Sequence, residues 1–169
     1  GDVVLERKGW RALNDEVARR LLRASLVWVA SSEYGPRQTA LAQALEAINL
    51  GEGLTLHGCQ VAVGKEDVRI LREWNAVRDL RSGPDGLWDR RWEITGPWEA
   101  GMHVAALGEE ALRDIDQWRA TKRPRGALIS SPAIWKGTRL IAAPVAGATN
   151  GWRAHLSKCD EVFFSGLMQ

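Results

Sequence analysis

The chain has 169 residues, the length of one domain or of one domain plus a small second. No run approaches the roughly 20 apolar residues that a helix needs to cross a bilayer. The opening Gly1-Asp2-Val3-Val4-Leu5-Glu6-Arg7 alternates like a strand, not like a signal peptide. The balance of 23 Lys and Arg against 21 Asp and Glu gives +2, an average that argues against a nucleic-acid partner. That average conceals a segregation. Residues 83–116 carry eight acids against three basic residues, a balance of −5, whereas residues 117–159 carry eight basic residues and no acid.

Residues 2–7 read as a short strand. Asn14 is a helix N-cap, with Asp15 and Glu16 in the first turn where the helix dipole favours carboxylates. The helix it opens runs to about Ser31, with Val17, Leu21, Ala24 and Trp28 recurring at three- and four-residue steps and Arg19, Arg20 and Arg23 sharing the remaining face. After a break at 31–35, Pro36 suits the first turn of a second helix. Leu41, Ala44, Leu45 and Ile48 form its buried stripe, and Gly51 and Gly53 end it. Two antiparallel helices joined by a short turn are expected.

From Leu54 the period becomes two, and Leu54–Val63 with Val68–Trp74 reads as a β-hairpin around residues 64–67. Residues 75–86, with Arg-Ser-Gly-Pro-Asp-Gly, form the linker candidate. Leu87–Thr95 and Met102–Leu107 read as strands, Glu109–Ala120 as a short helix, Pro124–Ser131 as a further helical turn, and Ala133–Pro144 as a hairpin around Lys136-Gly137. The small, irregular residues from Ala146 on are expected to be loosely ordered. The expected fold class is α+β: a helical hairpin domain over 1–52, a β-hairpin and linker over 53–82, and a C-terminal α+β domain over 83–169.

Phosphate loops, nucleophile elbows and zinc-binding helices are all missing as motifs. His57, His103 and His155 are isolated in sequence. His57-Gly58-Cys59 has no second ligand pair, so it reads as a strand-end histidine beside a buried thiol. Asp89, Glu93 and Glu99 alternate with tryptophans and read as solvated strand carboxylates. No catalytic residue and no metal site is assigned. Cys59 and Cys159, far apart and without a Cys-x-x-Cys pair, fit a reduced cytoplasmic protein. A first residue that is Gly rather than Met suggests a piece of a longer chain.

Binding chemistry is better represented. The 18 arginines against 5 lysines favour bidentate phosphate contacts, although a G+C-rich genome gives the same bias. A helix bearing Arg19, Arg20 and Arg23 on one face can rest across a phosphate backbone, or it can be a solvated face. Arg119, Lys122, Arg123 and Arg125 form a second cluster after a helix end, where cations also favour the dipole. The nine tryptophans can stack on splayed bases, yet Trp28, Trp74, Trp92 and Trp118 fall at inward positions and read as core.

Several segments, taken in order, resemble a known family. They are Glu16-Val17-Ala18-Arg19-Arg20-Leu21-Leu22-Arg23-Ala24, Tyr34-Gly35-Pro36-Arg37, Leu54-Thr55-Leu56-His57-Gly58-Cys59 and Leu87-Trp88-Asp89-Arg90-Arg91-Trp92, then Ala106-Leu107-Gly108-Glu109 and Ser131-Pro132-Ala133-Ile134-Trp135-Lys136-Gly137. Each is short; their order and spacing over about residues 1–145 resemble the C-terminal part of tRNA(Ile)-lysidine synthases, particularly the alphaproteobacterial kind. The resemblance implies an enzyme that uses ATP, with Mg, to adenylate the wobble cytidine of an isoleucine tRNA with a CAU anticodon. Lysine then displaces AMP to give lysidine. That chemistry belongs to an N-terminal PP-loop domain with a Ser-Gly-Gly-x-Asp-Ser signature, which this sequence lacks.

The chain is therefore expected to be inactive alone and to bind no cofactor of its own. It would hold tRNA for the PP-loop domain, in the cytoplasm, with a homodimer possible. By resemblance, Arg19, Arg20 and Arg23 face the tRNA backbone. Arg37 is a weaker transfer that can equally cap the first helix. Lys122, Arg123 and Arg125 are added from the residues alone. The tail after Pro144 matches nothing in the family. The rival reading is a stand-alone Trp-rich protein–protein interaction domain without a nucleic-acid role.

Overall fold

The structure, a computed structural model, describes residues 1–157. Cys159 and the end of the tail therefore lie outside the described residues. The chain divides into two compact units, one ending at Glu73 and the other starting at Trp74, and both mix helices with antiparallel sheet, the α+β class expected.

In the first unit β1 (Val3–Glu6) leads into a short α1 (Arg7–Arg11) and then α2 (Asp15–Ala30). The Asn14 side chain accepts a hydrogen bond from Val17 N at 2.9 Å, which satisfies one of the donors a helix start leaves open. Ser31 closes the helix in the left-handed region, and Ser32 N reaches back to Val27 O at 3.2 Å. The second helix, α3 (Gln38–Leu50), begins later than Pro36 suggests. Arg37 is its N-cap and Pro36 belongs to the extended lead-in. Gly51, at φ 87°, ends it by the same return bond, Glu52 N to Ala47 O at 2.8 Å.

The segment Leu54–Val63 is not one strand. It is β2 (Leu54–Leu56) and β3 (Cys59–Val63), joined by His57-Gly58 with both φ positive, at 57° and 68°. That two-residue turn matches the strand twist, and Leu56 faces Cys59 across it. With β4 (Asp67–Arg72) the sheet order is β1-β4-β3-β2. Leu22, Leu26 and Val29 of α2 and Leu41 and Ile48 of α3 share one core with Val61, Val68 and Ile70. Truncating one of these to Ala would cost about 2–5 kcal/mol.

The second unit starts with α4 (Trp74–Val77), and Val77 is fully buried in its core. Leu87–Thr95 is strand only in its second half, β5 (Trp92–Thr95). Before it, Trp88 bridges Trp92 around a turn in which Asp89 and Arg90 take positive φ. β6 (Met102–Ala106) follows, and then α5 (Glu109–Arg113). The helix expected to reach Ala120 stops at Arg113. Asp114 and Asp116 are poor helix formers and carry negative charge towards the dipole's negative end. Trp118–Thr121 is a separate 3-10 turn, followed by α6 (Arg125–Ile129).

β7 (Pro132–Lys136) and β8 (Arg139–Ala142) make the hairpin at Gly137 and pair with β6 in the order β6-β7-β8. The described part of the tail is ordered into structure, against expectation. β9 (Arg153–Leu156) pairs with β5, and Trp152 is 2% exposed.

Candidate nucleic-acid interface

Helical spacing brings Arg19, Arg20 and Arg23 onto one face of α2, with Arg19 half-buried and the other two exposed. Together with Glu16, Pro36, Gln38 and Leu41 they line a groove of 190 Å³. Arg37 lies between two of these lining residues in sequence, exposed, at the N-cap position of α3 and without a side-chain capping hydrogen bond there. The loop approaches so closely that a Cβ on Gly35 would stand 2.7 Å from Arg23 Nε and 3.1 Å from its Cγ. Glycine at 35 is what lets the Arg23 side chain lie along the loop.

The face is not purely cationic. Glu16 accepts from Arg20 Nε at 2.8 Å and from Arg19 Nη1 at 3.4 Å, so one carboxylate holds two guanidinium groups. These contacts are solvent-exposed i,i+4 and i,i+3 pairs, each worth about 0.3–0.5 kcal/mol. A phosphate can replace Glu16 at little cost. Glu16 is thus more than a first-turn acid, and its three- and four-residue spacing to Arg19 and Arg20 is the sequence signal of this second role.

Lys122 and Arg123 are exposed in the second unit, and Lys122 adopts a left-handed backbone at φ 56°. Arg125 is paired with Glu109, which also binds Arg113 at 3.2 Å. The acid-free stretch is therefore not acid-free in space. Residues of the acidic block meet the later segment at three points: Glu109 of α5 meets Arg125 of α6, Glu99 before β6 meets Lys136 at 2.9 Å, and Glu93 meets His155 at 2.8 Å across the β5–β9 pair. Lys136 donates to Glu99 and holds its carboxyl below the ordinary range. Glu93 is the cross-strand partner of His155 and Glu99 a loop carboxylate paired with Lys136, and both side chains stay solvent-exposed as expected. Asp89 is buried with Arg91, Oδ2 to Nε 3.8 Å. The two cation clusters sit in different units, Arg19, Arg20 and Arg23 in the first and Lys122, Arg123 and Arg125 in the second.

Other candidate chemistry stays structural. His57 Nε2 lies 2.7 Å from Ser32 Oγ, and Cys59 beside it is fully buried. Among the described residues no group of three His, Cys, Asp or Glu side chains could hold a metal ion, and no helix is long and apolar enough to cross a membrane. All nine tryptophans are buried or half-buried.

Fold and site define a two-unit α+β protein whose first unit carries an arginine-lined groove. Comparison with known proteins gives its relatives. Over 168 residues, 99% of this chain and 40% of the relative, the sequence is 43% identical to the tRNA(Ile)-lysidine synthase of Ruegeria pomeroyi. It is 24% identical over 153 residues, 85% of this chain and 35% of the relative, to the tRNA(Ile)-lysidine synthase of Wolbachia pipientis. No family model and no solved structure matches. The chain is a relative of the tRNA(Ile)-lysidine synthases along nearly its whole length, and it spans about two-fifths of the length of the curated relatives it matches.

Proposed function

We propose that this chain is the tRNA-holding C-terminal part of a cytoplasmic tRNA(Ile)-lysidine synthase, acting beside an N-terminal PP-loop domain. The match over 99% of the chain to a protein of that name carries the reading. In the whole enzyme ATP, Mg and lysine would convert the wobble cytidine of the CAU anticodon to lysidine. No Ser-Gly-Gly-x-Asp-Ser segment occurs among the residues of this chain. No chemical step is assigned to them.

Their task would be to bind and orient. Arg19, Arg20 and Arg23 lie along the tRNA backbone, with a phosphate displacing Glu16 and Arg37 flanking the groove. Lys122 and Arg123 are the available cations of the second cluster, and Arg125 joins them when Glu109 releases it. Backbone contacts of this kind set register without reading sequence, leaving the anticodon to the PP-loop domain.

An electrophoretic titration of isoleucine tRNA at two salt concentrations tests the proposal. Binding at low salt that weakens steeply as salt rises is expected. Failure to bind at low salt, or binding indifferent to salt, overturns it.

A further inference from the structure

A groove of 350 Å³ in the second unit is lined by Leu112, Arg113, Trp118, Arg119 and Arg125. Trp118 packs against a core that contains Leu112 and Leu128. The Arg119 guanidinium covers the Trp118 ring at 4.5 Å from its centroid. An indole face attracts a guanidinium and offers its plane a surface to stack on. Arg119 is exposed and pairs with no carboxylate among the described residues. Arg113 and Arg125 share one carboxylate, Glu109, so the groove keeps net positive charge.

The geometry points to a site for one unpaired nucleotide of RNA, its base stacked on the outer plane of Arg119 and its phosphate between Arg113 and Arg125, in competition with Glu109. A flat cation backed by an aromatic ring accepts any base face, and only an unstacked base offers one. Taking RNA as the source of the nucleotide rests on the proposed tRNA role, whereas the stack and the charges stand without it.

The test uses the whole chain and the anisotropy of two labelled probes, single-stranded hexa-adenylate and a blunt RNA duplex. Arg119→Ala should weaken the hexamer about tenfold, the scale of one lost base stack, and change the duplex far less. Arg119→Lys should keep that loss, because it restores the charge without the plane. Adenosine 5′-monophosphate should displace the hexamer at lower concentration than inorganic phosphate does. Equal weakening of both probes by Arg119→Ala, rescue by lysine, or equal potency of the two competitors overturns the site. If isoleucine tRNA fails to bind at low salt while Arg119→Ala still discriminates the two probes, the proposed function fails and this site stands.

Discussion

Glu16→Gln isolates the role of the α2 groove, because it removes one charge without removing a side chain. Glu16 holds Arg20 at 2.8 Å and Arg19 at 3.4 Å, with side chains 58%, 56% and 41% exposed respectively. The cost to folding is small. Two exposed helix pairs are lost at about 0.3–0.5 kcal/mol each, together with a modest dipole contribution from a first-turn acid. The effect on RNA binding is larger and opposite in sign. Each further phosphate neutralised steepens the dependence of log K on log salt by about 0.9, which multiplies affinity by about eight near 0.1 M salt. The variant should therefore bind isoleucine tRNA up to about eightfold more tightly, with a steeper salt slope and a near-normal urea midpoint. Affinity that is unchanged or weaker, in a protein of normal stability, would refute the assignment of this groove to phosphate.

Gly35→Ala should push the Arg23 side chain off the loop, since the new Cβ would stand 2.7 Å from its Nε; tRNA affinity then falls about as far as with Arg23→Ala, and the double variant loses no more, a coupling measurable by a mutant cycle. Gly96→Ala should destabilise the second unit by about 1–3 kcal/mol in urea titrations, because the added methyl falls on the ring of Trp152, which is 2% exposed and held edge-on by Trp98 at 4.9 Å. Burial raises the Asp2 carboxyl, but the Arg69 hydrogen bond at 2.5 Å and the Arg69 charge act against it, and Asp2 lies below its ordinary range. A depressed folded value gives stability present above the ordinary carboxylate range and lost as pH falls through the folded value. The gap in urea midpoint between the wild type and Asp2→Asn should therefore be full at neutral pH and close on acidification; a gap that widens in acid would contradict it.

Local signals were legible where one residue type answers one backbone need. Asn14 with Asp15 and Glu16 marks the start of α2, Gly51 marks the end of α3, and Gly137 marks the β7–β8 turn. Two turns escaped notice because their residues are weak signals: His57-Gly58 and Asp89-Arg90 take positive φ without the Asn-Gly or Asp-Gly pair that announces such a turn. β9 was missed for a different reason. Its partner β5 lies far upstream, and a short strand with a non-local partner has little pattern of its own. The charge segregation misled in the same way. Arg125 meets Glu109 and Lys136 meets Glu99, so the separation visible along the chain is partly offset in space. The α2 arginines were legible because helical spacing alone puts them on one face. The groove they line depends on Gly35 and the α3 lead-in, which no periodicity reports.

The central claim, that α2 meets the tRNA backbone, is tested most directly by the salt dependence of tRNA binding for the wild type and for Arg19→Ala, Arg20→Ala, Arg23→Ala combined. The triple variant should lower the slope of log K against log salt by about 2–3, the charge removed with and without Glu16 left in place. It should also weaken isoleucine tRNA and an unrelated tRNA by the same factor. An unchanged slope, or a loss confined to one tRNA, would contradict the account.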